Sequence, residues 1–88
     1  MKKITIPYFC DPGHGWGKIS RDKAKAILEE HFPKITSYSY QRGNDIFLEE
    51  DCDLGLLMEV AKSKGIAVKF KRSHTNRNSK IRGYACFA

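Results

Sequence analysis

The apolar positions of this chain change period repeatedly, and each change marks an element. In Ile4–Phe9 (ITIPYF) branched and aromatic residues predict a strand, although Pro7 cannot donate to a ladder and points to an edge position or a strand end. A DPG turn follows, and His14–Ile19 reads either as a short returning strand or as a glycine-rich crossing loop. Ala24, Ile27, Leu28 and His31 then recur at helical spacing, with Ser20 or Asp22 as the cap and Pro33 as the stop. The lysine-rich start and Glu29-Glu30 end of that helix oppose its dipole, so packing must supply most of its stability.

Residues 37–50 (SYSYQRGNDIFLEE) predict a hairpin around RGND, where Gly43 and Asn44 tolerate positive φ. Tyr38 and Tyr40 share one face and Ile46 and Leu48 share one on the return strand, but the pattern leaves open which face meets the core. A second helix over about Asp53–Lys64 carries Leu54, Leu57, Met58 and Ala61 on one stripe, widened by Leu56 and Val60 and ended by Gly65. Ile66, Val68 and Phe70 alternate with Ala67, Lys69 and Lys71, the pattern of a strand with one basic exposed face. A polar loop, SHTNRNSK, leads to a final strand around IRGYACF. The expected architecture is a small α+β domain over residues 1–88, two helices against a largely antiparallel sheet.

Charge alters this picture more than composition does. The net charge of +6 conceals three unlike segments: residues 1–40 hold seven Lys/Arg against four Asp/Glu, residues 41–61 one against six, and residues 62–88 eight against none. One acidic and one basic surface are therefore expected. The 41% hydrophobic fraction is too high for a disordered tail, and no apolar run is long enough for a bilayer span or a secretory signal. A cytoplasmic protein is the expectation, with Cys10, Cys52 and Cys86 as free thiols because they are odd in number and form no CxxC pair.

The strongest functional feature is Lys69–Arg82 (KFKRSHTNRNSKIR), with six Lys/Arg, no acid and several hydroxyl and amide donors suited to phosphate. Lys69, Lys71, Arg72, His74, Arg77, Lys80 and Arg82 form the expected surface for nucleic acid or an acidic host protein. Its composition suits electrostatic binding, and no known base-reading motif accompanies it. Glu49, Glu50, Asp51 and Asp53 form a second candidate surface for a basic protein partner, with helix capping and a favourable dipole interaction as competing duties.

Three alternatives involve chemistry. Cys10 and His14 have spacing compatible with two zinc ligands but no second paired motif, and the acidic run could hold Mg²⁺ for a nuclease but lacks a separated carboxylate set, Asp11 and Asp22 being arbitrary recruits. His14 and His74 could cleave RNA by general acid–base catalysis if folding joined them. None of the three is needed to explain the charge clusters, so no cofactor, metal or catalytic residue is assigned. Trp16, among the glycines of CDPGHGWG, is expected to pack rather than to react.

His14-Gly15-Trp16, Ser37–Gly43, Leu48–Asp53 and Ser79–Tyr84 together give the chain a resemblance to small proteins encoded by phages and other mobile elements. The resemblance spans most of the chain and carries no catalytic assignment. It implies a non-enzymatic modulator that binds host protein or nucleic acid, including the possibility of an inhibitor of host defence.

Overall fold

The structure, a computed structural model, describes residues 2–87. Alternation of apolar residues builds six strands, β1 (Lys2–Cys10), β2 (Gly15–Ser20), β3 (Tyr40–Arg42), β4 (Asp45–Glu49), β5 (Ile66–His74) and β6 (Ala85–Cys86). They form one sheet in the order β5-β1-β2-β4-β3-β6, antiparallel throughout except for the parallel β1–β5 pair. Two helices, α1 (Arg21–Leu28) and α2 (Asp53–Ser63), follow the first and second hairpins. The α+β class and the largely antiparallel sheet expected from the sequence are both present.

One face of the sheet is the main core. Ile6, Ile19, Ile46 and Leu48 project onto Ala24, Ile27 and Leu28 of α1 and Leu54, Leu57, Val60 and Ala61 of α2. Every one of these side chains is buried, and area removed from water at about 25 cal/mol per Å² makes this layer the main source of stability. Gly17 allows α2 to approach β2, since a Cβ there would sit 2.8 Å from Leu54 Cδ1.

Local chemistry fixes the boundaries. Ser20, rather than Asp22, caps α1 and accepts from Lys23 N at 3.2 Å. The helix ends at Leu28, five residues before Pro33, because Glu29 takes a φ of 49° and the chain tightens into a 3-10 turn over Glu29–Lys34. His31 thus lies beyond the α-helical stripe. Gly43, at φ 59°, makes the turn of the second hairpin.

Two further expectations change. β1 is an interior strand, but β2 pairs with it only at Tyr8, Phe9 and Cys10, so Pro7 stands just outside that ladder where a missing donor is tolerated. The final strand shrinks to Ala85–Cys86, because Ser79 caps a 3-10 turn over Lys80–Gly83 that takes up Ile81, Arg82 and Gly83. No helix among the described residues is long and apolar enough to cross a membrane.

Candidate nucleic-acid interface and an adjoining cleft

Strand alternation sends the other half of each strand to the opposite face. Trp16, Tyr40 and Phe47 project there with Phe9, and the segment after β5 folds back over them, burying Ile81 and packing Tyr84. Tyr84 lies against Phe47 at 5.1 Å between ring centroids, and Trp16 meets Tyr40 edge-on at 6.2 Å. The choice left open for the hairpin is resolved: Ile46 and Leu48 face the helices, while Tyr40 and Phe47 face this second, aromatic cluster.

Asp11 holds the folded-back segment. Its buried carboxylate accepts from Gly13 N and His14 N at 2.9 Å each, from Ser79 N at 2.9 Å, and from Arg82 Nε and Nη2 at 2.6 and 2.9 Å. The Arg82 guanidinium, followed by these backbone donors, holds the Asp11 carboxyl far below the usual carboxylate range, and the hydrogen-bonded Asp11 raises the pKa of Arg82 in return. Arg82 also stacks over Trp16, 5.3 Å from the ring centroid. The CDPGHGWG loop is therefore first a clamp joining the start of the chain to its end.

Between this segment and the sheet runs a groove of about 690 Å³. Phe9, Phe47, Ile81 and Tyr84 give it apolar walls, while Lys18, Arg42, Arg77 and Lys80 supply four cations against one carboxylate, Asp45. That carboxylate is partnered by Lys18 at 3.6 Å, so the lining keeps a positive excess. Arg42 lies over the Tyr84 ring at 5.3 Å, which fixes a cation against an aromatic face. Lys69 and Lys71 of β5 are exposed and extend the positive charge along the same sheet face.

The structure divides the residues singled out from the sequence. Lys69, Lys71, Arg77 and Lys80 lie along the groove and its approach, whereas Arg72 turns to the helix side and stacks over Tyr8 at 5.5 Å. Arg82 is engaged by Asp11. His74 pairs with β1: its Nδ1 lies 3.3 Å from Cys10 Sγ and its Nε2 lies 3.1 Å from Asn76 Oδ1. Lys18 and Arg42 were not marked by the basic run, and their alternation with Trp16 and Tyr40 is the signal that places them on this face.

The acidic run is not one exposed patch. Asp53 is buried and accepts from Thr36 N at 3.0 Å, from Thr36 Oγ1 at 2.7 Å and from the Ser39 hydroxyl, tying the β3 approach to the start of α2. Glu49 is also buried, and its Oε2 accepts from Asp51 N and Cys52 N at 3.0 Å each. Glu50 is exposed and accepts from the Tyr8 hydroxyl at 2.6 Å. Burial, followed by that carboxylate, pushes the Tyr8 pKa above the ordinary tyrosine range. Asp51 is exposed.

A second cavity, about 430 Å³, adjoins the groove across the Lys80–Gly83 turn and is lined by His14, Trp16, Ser37, Tyr38, Tyr40, Glu49, Asp51, Cys52 and Arg82. All four segments HGW, SYSYQRG, LEEDCD and SKIRGY contribute to it. Here one ligand atom from each of His14, Glu49 and Asp51 lies within 4.8 Å of the others. Cys10 is outside that group. His14 and His74 sit in separate clusters, one with Glu49 and the other with Cys10, and no hydrogen bond joins them among the described residues. No protein-family model, curated protein or solved structure matches this chain.

Proposed function

We propose that this protein is a non-enzymatic interaction module that binds single-stranded nucleic acid along the groove and the basic approach from β5. The observation that carries the reading is the lining itself: four cations with one already-paired carboxylate, set around the partly exposed rings of Phe9 and Tyr84. Phosphates are attracted by Lys and Arg, while an unstacked base finds an apolar or aromatic wall; a duplex offers the phosphates but keeps its bases stacked. An acidic protein partner would use the cations and leave the aromatic wall unexplained.

The mobile-element resemblance supports a modulator that occupies nucleic acid rather than turning it over. Catalysis is not required for such a role, and the two histidines proposed for metal-free cleavage belong to different clusters.

Fluorescence anisotropy with a labelled 20-mer of single-stranded DNA, the same RNA sequence and a duplex of equal length tests the reading. Preferential binding of a single strand is expected, with loss of at least about tenfold in affinity when Arg77 and Lys80 are both changed to Gln. Equal binding by wild type and the double variant would remove the groove from the account.

A further inference from the structure

Beyond nucleic-acid binding, we infer that the cavity beside the groove is a site for a divalent transition-metal ion of the Zn²⁺ type, held by His14, Glu49 and Asp51. The three residues come from two segments, the loop after β1 and the end of β4 with the turn that follows it. Asp11 fixes the backbone at His14, β4 ends at Glu49, and the turn into α2 supplies Asp51. Their ligand atoms lie within 4.8 Å of one another, and His14 Nδ1 is 4.0 Å from Glu49 Oε1.

These separations are too long for hydrogen bonds and slightly wider than atoms sharing one ion, which at bond lengths of about 2.1 Å stand roughly 3.4 Å apart in a tetrahedral site. His14 and Asp51 are exposed, so small side-chain rotations close the difference, while buried Glu49 provides a fixed anchor.

Two observations point to a ligand rather than to an ordinary surface cluster. Glu49 is only 8% exposed, and while its Oε2 caps the turn into α2, its Oε1 opens onto the cavity, receives no hydrogen bond from the described residues and lies 4.0 Å from His14 Nδ1. A carboxylate oxygen on a mostly buried side chain, turned into a cavity with no protein donor, is free to take a cation. Arg82, the cation in the cavity wall, is committed to Asp11.

The second observation is Trp16, 2% exposed and in the same wall, whose Nε1 is the buried side-chain polar atom left without a partner among the described residues. An indole N–H cannot ligate a metal, and this one is closed to solvent, so it donates to a water in an open coordination position only after a small tilt of the ring. The imidazole selects against Mg²⁺ and Ca²⁺, which prefer all-oxygen sets.

Trp16 is the single tryptophan of the chain and lies 6.1 Å from His14 between ring centroids, so it reports on the site. Purified protein, stripped with EDTA and dialysed, is titrated with Zn²⁺ by calorimetry and with Co²⁺ by tryptophan fluorescence. One ion per chain is expected, with Co²⁺ quenching Trp16 and millimolar Mg²⁺ failing to displace Zn²⁺.

His14→Ala and Asp51→Asn should each weaken binding by more than about tenfold, the scale that even supporting residues of metal sites reach. Both positions are exposed, and unchanged circular dichroism melts establish that these variants fold. Cys10→Ser and His74→Ala, which alter the other histidine cluster, should leave the titration unchanged. No binding up to 1 mM Zn²⁺, or binding that survives in H14A and D51N, would overturn the assignment, as would its loss in C10S or H74A alone.

Discussion

The two faces of the sheet are built from the same strands and differ in every property that matters for function. On the helix side, Ile6, Ile19, Ile46 and Leu48 are buried in one apolar cluster, and α1 and α2 close over them. On the other side, Trp16, Tyr40 and Phe47 are covered by the chain's own C-terminal segment, which brings cations with it and leaves two cavities along its borders. The difference teaches that strand parity separates the apolar core from the charged and grooved surface here. One face needs only hydrophobic volume, whereas the other depends on a polar clamp, Asp11, that must hold before any groove exists.

The largest effect expected from breaking this contrast lies on the closed face. Leu57 is fully buried, and Leu57→Ala should cost about 2–5 kcal/mol through lost burial and a residual cavity. Thermal melts should show the loss in Tm, while any protein still folded at low temperature keeps its nucleic-acid affinity.

Next in size is the clamp. Asp11→Asn removes the ion pair with Arg82, and its expected signature is a Tm lowered by several degrees together with weakened nucleic-acid binding, because the segment that forms the groove is released. The pH dependence follows from the direction of the Asp11 shift. Its folded pKa is depressed, so its contribution is fully present above the unfolded carboxylate value of about 4 and is lost as pH falls below that toward the folded value. Melts of wild type and D11N at pH 7 and at pH 3 should therefore differ more at pH 7 than at pH 3.

A smaller effect separates two cations of the same sequence run. Lys71→Gln should weaken single-strand binding a few-fold, since Lys71 lies on the groove side of β5, whereas Arg72→Gln, on the helix side over Tyr8, should leave it nearly unchanged. Equal losses in anisotropy titrations of the two variants would show that total charge matters and the face does not.

Much of the closed face was legible in the sequence because periodicity reports burial directly: the stripe of α2 and the alternation in β5 occupy the side of the layer that their pattern indicates, except for Met58, which the pattern places in the stripe and the structure leaves 42% exposed. The second face was less legible. DIFLE places Ile46, Phe47 and Leu48 in succession, so both faces of β4 are apolar and parity alone does not name the core. The decisive contact, Arg82 to Asp11, spans 71 positions and leaves no periodic trace. Likewise, the acidic run was visible as charge, but its division into buried Asp53 and Glu49 and exposed Glu50 and Asp51 depends on hydroxyls and amides supplied by other segments. His14 and the acidic run with Glu49 and Asp51 were each visible as chemistry; their meeting was not, since one lies in the loop after β1 and the others at the end of β4 and in the turn that follows it.

The central claim, that the open face binds single-stranded nucleic acid through its cations, is tested most directly by the salt dependence of affinity. Plotting log K against log salt for wild type and for the variant with Lys69, Lys71, Arg77 and Lys80 all changed to Gln should give a steep negative slope for the first. The slope should become shallower by up to roughly 0.7 for each phosphate contact removed. Parallel lines for the two proteins would contradict the account.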